Sequence, residues 1–78
     1  MTFYTFMMRN YYTSDSPAGD LARDMKEDAE KFPRNRPCKF DAWREIIYCY
    51  LLDCGATWDC LDIFEECWEE YLDVQKRK

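Results

Sequence analysis

The sequence predicts an all-α fold, a compact domain of four helices with room for a short fifth turn. Three observations predict it. Large apolar residues recur at the 3.6-residue period in several separate windows. Only two glycines and three prolines occur in 78 residues, which argues against both disorder and a turn-rich all-β fold. Those few breakers, with Ser16, fall where helices should begin or stop.

The first helix is expected over 3–10. Thr2 can cap it, Phe3, Phe6 and Met7 share one face, and Arg9 and Asn10 bring it to an end. Tyr11 to Asp15 is polar and turn-like. Ser16-Pro17 then starts a second helix, with the hydroxyl as N-cap and proline at a position whose missing N–H costs nothing. Ala18, Leu21, Ala22, Met25, Ala29 and Phe32 form its stripe, and Pro33 sets its end at 32. The loop 33–39, PRNRPCK, carries two prolines and three bases. A third helix over 41–54 follows from Phe40, Trp43, Ile47, Tyr50, Leu51 and Cys54, with Ile46 widening the face and Gly55 ending it. On this reading it is the most buried of the four. Thr57 or Asp59 caps the fourth, over 58–73.

That last helix contains FEECWEEY, Phe64 to Tyr71. Phe64, Cys67, Trp68 and Tyr71 lie at offsets 0, 3, 4 and 7, one stripe of one helix, while the glutamates occupy its flanks and back. The rings read as core and the acids as solvated face. The expected core is Leu21, Met25, Phe32, Trp43, Ile47, Leu51, Phe64, Trp68 and Tyr71. The chain is one domain over 1–74 with a basic tail at 75–78.

Composition excludes several function classes. There is no charge-free apolar run near about 18 residues, so no membrane span is expected. The start MTFYTFMM lacks the basic and small-residue features of a secretion signal, which makes the cytoplasm the expected location. Cys38, Cys49, Cys54, Cys60 and Cys67 are odd in number and show no CxxC spacing. They read as free thiols, with Cys49 and Cys67 on or near the core side, rather than as a metal cluster or redox pair. There is no histidine, no calcium-type ligand loop and no glycine-rich phosphate cradle, so neither a cofactor nor an enzyme is expected.

The net charge of −5 is unevenly spread. Residues 31–44 hold Lys31, Arg34, Arg36, Lys39 and Arg44 against Asp41 alone. Residues 45–74 hold nine acids and no base, and Lys76, Arg77 and Lys78 follow. A basic elbow and an acidic last helix are expected to form opposite patches.

Several segments together resemble the YozE family. These are TFYTFMMR (Thr2 to Arg9), Leu21-Ala22, Glu27-Asp28, Phe32-Pro33, Ile47 with Tyr50-Leu51, and FEECWEEY. Phe64, Glu65, Glu66, Trp68 and Tyr71 match that family's signature, with Cys67 in place of its alanine. The likeness covers nearly the whole chain. It implies a small bacterial protein, with some relatives phage-associated, and a fold like the sterile alpha motif; it implies no mechanism. The loop from Pro33 to Trp43 is longer and more basic than the family's, and DCGAT replaces its Asn-rich turn.

Two functions fit these features. One is a non-catalytic protein-interaction module that binds a protein partner through Arg34, Arg36, Lys39 and Arg44, since folds of the resembled kind associate through surfaces of opposite charge. The other is a nucleic-acid-binding or phage-related regulatory protein that uses the same four bases on phosphates. Acidic overall charge disfavours the second.

Overall fold

In a computed structural model that describes residues 1–36 and 38–77, four helices follow one another: α1 Phe3–Asn10, α2 Pro17–Glu27, α3 Phe40–Asp53 and α4 Trp58–Lys76. No strand occurs among the described residues. Each start that the sequence marked with a hydroxyl is capped by it. The side chains of Thr2, Ser16 and Thr57 accept hydrogen bonds from the backbone N–H groups of Thr5, Gly19 and Cys60. Lys39 begins α3 without a side-chain cap and at φ 51. Gly55 follows α3 at φ +86, a conformation that costs a side-chain-bearing residue but not glycine.

α4 is the spine. It packs against α1, α2 and α3, whereas α3 rests chiefly on α4, with its Tyr50 reaching Phe32 and Asp28 just after α2. The stripe of α4 is inside as its spacing requires: Leu61, Phe64, Cys67, Trp68 and Tyr71 are all buried. The ring of Phe3 from α1 meets Phe64, Trp68 and Tyr71 at centroid distances of 5.4, 5.1 and 5.7 Å, within the range of favourable aromatic pairs. α2 adds Leu21, Ala22 and Met25, and α3 adds Ile47 and Leu51. Gly19 lets α2 lie against the preceding loop, because a Cβ there would stand 2.0 Å from the Ser14 carbonyl oxygen.

The structure corrects five expectations. α2 ends at Glu27, not at 32; Asp28 accepts from the N–H of Phe32 in a turn that still buries that ring. A turn of this kind repeats the spacing of a helix, so the stripe ran on in sequence after the helix had stopped. α3 is not the most buried helix, since only α4 lies along it and its buried residues are Ile47 and Leu51. Trp43 is consequently half-buried rather than core, and Ile46 is 47% exposed. Cys49 is exposed rather than on the core side. α4 continues to Lys76, into the segment assigned to the tail; Lys78 and Pro37 lie outside the described residues.

One buried polar side chain joins the ends of this arrangement. Asn35, in the loop between α2 and α3, is 1% exposed. Its Oδ1 accepts from the N–H of Phe3 at 2.7 Å, which satisfies a donor that the first turn of α1 leaves unpaired. Its Nδ2 donates to the Tyr71 hydroxyl at 2.9 Å, and that hydroxyl donates to the carbonyl of Met1 at 2.6 Å. Burial pushes the Tyr71 phenol up, and the bond from Asn35 partly opposes the shift.

Four expected outcomes check this account. Trp68→Ala should cost about 3–5 kcal/mol, comparable with the stability of so short a chain, and leave it largely unfolded by circular dichroism. Glu66→Gln, on the solvent side, should shift stability by under about 0.5 kcal/mol. Asn35→Ala strands the Phe3 N–H and removes the donor to Tyr71; denaturant titration should record a loss of about 2–4 kcal/mol. In native-state thiol labelling, exposed Cys38, Cys49 and Cys54 should react rapidly. Cys67 should react only on unfolding, because burial first, and Glu70 and Glu66 after it, push its thiol up to about 12.

Candidate interaction surface

The four bases proposed for partner binding arise from one loop and the first turns of α3, and they are not equivalent. The Arg34 guanidinium lies 4.0 Å from the centroid of the Tyr4 ring and donates to the Ala29 carbonyl at 3.1 Å. It therefore fastens the loop to α1 and to the turn after α2. Arg44 pairs with Glu65 across the α3–α4 seam. Arg36 and Lys39 are exposed and make no ion pair among the described residues. Of these four bases, Arg36 and Lys39 are left without such contacts, whereas Arg34, although exposed, and half-buried Arg44 are engaged within the chain; Lys31 is exposed beside them.

On the other side of the charge division, Asp59, Asp62, Glu66, Glu69, Glu70 and Asp73 all stand exposed along α4. Glu70 accepts from the hydroxyl of Tyr11, which raises that phenol above its ordinary value and ties the loop after α1 to α4. Glu65, by contrast, is half-buried in its pair with Arg44.

Apolar groups accompany the charges. Between the elbow and the turn into α4, the outward side of α3 carries Ala42, Ile46, Cys49 and Leu52, all exposed. Just beyond, Trp58 is 72% exposed at the first position of α4. Thr57, not Asp59, is the cap, and Trp58 stands as the first residue of α4, ahead of the buried stripe that begins at Leu61. The capping alternatives were legible in the sequence, but their consequence for Trp58 was not.

A separate groove of about 270 Å³ lies between α2 and the end of α3, lined by Leu21, Met25, Leu51, Cys54 and Cys60 with Asp24, Glu27 and Asp28 at its edge. Burial raises the Cys60 thiol, with Asp24 adding to the shift. Burial likewise pushes the Tyr50 phenol to about 12, with the Cys54 thiol and Asp28 contributing. Every shift runs toward the neutral form, so these groups are poor nucleophiles at neutral pH. No cluster of three or more cysteine or carboxylate side chains is arranged to hold a metal ion among the described residues. No helix among them is long and apolar enough to cross a membrane.

Asn35 is the residue that sequence reasoning missed. It stands between two arginines in a loop without periodicity, and its partners Phe3 and Tyr71 are 32 and 36 positions away. The available signal was only a short amide side chain in a segment otherwise built of prolines and bases.

Neither a curated protein nor a solved structure matches the chain. The family model described as the YozE SAM-like fold matches residues 2–73, from the cap of α1 to the last turns of α4, and the four-helix architecture agrees with it, so the chain belongs to the YozE SAM-like family.

Proposed function

We propose that this small helical domain is a non-catalytic protein-interaction module, with Arg36, Lys39 and the outward side of α3 as its binding surface and Trp58 at the far end. The observation that carries this reading is the exposure of Ile46, Leu52 and Trp58 in a chain that places most of its other rings inside. Exposed aromatic and aliphatic side chains beside a few unpaired charges are what protein recognition uses: the apolar groups give affinity, and the charges fix orientation.

The same bases support nucleic-acid binding less well. Arg34 and Arg44 are engaged by Tyr4, Ala29 and Glu65. A phosphate-binding track built on Arg36 and Lys39 alone would neutralise about two phosphates, against the field of an acidic α4 within a molecule 31 × 25 × 23 Å.

Trp58→Ala should leave the unfolding midpoint unchanged, because the ring is largely in water, yet weaken capture of a protein partner from the native host. Replacing Arg36 and Lys39 together by alanine should weaken the same capture. Gel-shift titration should detect no duplex or single-stranded DNA binding at physiological salt. Submicromolar DNA binding that persists there, with a salt slope reduced by about two on the double replacement, would make nucleic acid the function instead.

A further inference from the structure

Two basic segments that are remote in sequence meet at one end of the molecule. Phe40, the first residue of α3, shares a shallow pocket of about 190 Å³ with Leu72, Gln75 and Lys76 from the last turns of α4. The Phe40 ring lies 6.0 Å from that of Tyr71, and Asn35 bonds the Tyr71 hydroxyl, so the elbow is seated on the end of α4. Arg36 and Lys39 lead into α3 there, and Arg77 follows Lys76. All four bases are exposed, and none forms an ion pair among the described residues.

This end is rich in donors and poor in acceptors. Lys39 occupies the N-cap of α3 and has no side-chain oxygen to offer, so its side chain leaves the N–H groups of the first turn uncapped. In the pocket wall, the Nε2 of Gln75 is fully buried and has no hydrogen-bond partner among the described residues. A buried donor without an acceptor is destabilising, and an acceptor seated in the pocket relieves it. The negative pole of α4 also lies here, but Lys76 and Arg77 stand over it. Asp41 and Asp73 are the exposed acids of the adjoining turns, two against four bases.

We infer that this pocket receives a carboxylate of a partner protein, presented on a short acidic segment with an aliphatic side chain beside it. This deepens the interaction-module reading and rests on it. The aliphatic group covers Phe40 and Leu72, and its burial supplies affinity. The carboxylate accepts from Gln75 Nε2, once that amide turns about its soft last torsion toward the mouth. It is held there by the Lys76 ammonium and the positive pole of α3. Arg36, Lys39 and Arg77 beyond the pocket favour further acids on the same segment. The pocket is below the size of about 300 Å³ at which small-molecule sites begin, so it takes a side chain rather than a cofactor. Its apolar floor and the flanking Asp41 and Asp73 suit an isolated carboxylate better than a continuous run of phosphates.

The probe is a capped pentapeptide with glutamates on either side of a leucine, set against its glutamine counterpart in NMR titrations of the isotopically labelled protein. The acidic peptide should move the backbone amide signals of Phe40, Asp41 and Ala42 and the side-chain amide of Gln75. The glutamine peptide should bind at least about tenfold more weakly. Gln75→Leu should weaken the acidic peptide about tenfold while its unfolding midpoint stays the same or rises, because a buried unpaired donor has been removed. Lys76→Glu should weaken it by a similar factor and make the lysine counterpart of the peptide the better ligand. Equal response to the acidic and glutamine peptides, shifts as large at Lys26 and Lys31 as at Phe40, or affinity indifferent to Gln75→Leu would each overturn the proposal. A single-stranded DNA oligonucleotide that moves the same signals more strongly at physiological salt would overturn it too, and would end the module reading with it. If the peptides fail while Trp58→Ala still weakens capture of a host protein, the pocket assignment falls and the module reading stands.

Discussion

Three parts of the molecule that are remote in sequence meet at the Asn35 side chain. The N-terminus of α1, the loop before α3 and the aromatic stripe of α4 are held by one carboxamide and one phenol. Hydrophobic burial alone would bring Phe3 and Tyr71 together, since their rings are 5.7 Å apart, but it is not directional. The hydrogen bonds are. They fix where α1 begins on α4, and they hold a loop of prolines and arginines against the core instead of leaving it in solvent. In a low-dielectric site the network is useful only when complete, because a lost member leaves the others unpaired. The position of Arg36 and Lys39 on the outside depends on Asn35 being inside.

Burial is distributed unevenly around this node. α4 has neighbours on several sides and buries five side chains, three of them aromatic. α3 has one neighbour, and much of its apolar surface stays in water. Arg44 compensates in part by pairing with Glu65 across the seam, at a half-exposed site where such a pair contributes at most about 1 kcal/mol. The surface proposed for recognition therefore belongs to the helix that the core restrains least.

What the sequence made legible was local. Thr2, Ser16 with Pro17, Thr57 and Gly55 act within a few residues of themselves, so hydroxyls, a proline and a glycine marked the helix ends without knowledge of the fold. The α4 stripe was equally legible, because a period of 3.6 places Phe64, Cys67, Trp68 and Tyr71 on one side wherever the helix sits. Trp43, Ile46 and Cys49 were not, since all lie on a helix whose pattern is apolar nearly all round. Which side is covered depends on how many neighbours it has, and that number is a tertiary fact. The same reason hid the division of labour within the basic elbow: nothing adjacent to Arg34 or Arg44 announces Tyr4 or Glu65.

The spine of this domain is also the last of its helices to be synthesised. α1 and α2 touch each other, α3 rests chiefly on α4, and the buried rings of α1 meet those of α4 at the centre. On the ribosome, the first three helices consequently emerge with their apolar faces uncovered, and no completed core exists before Trp68 and Tyr71 have left the exit tunnel. Folding of this domain is postponed until α4 has emerged. A chain truncated before Phe64 would lack the scaffold of its core, however well its first three helices were capped.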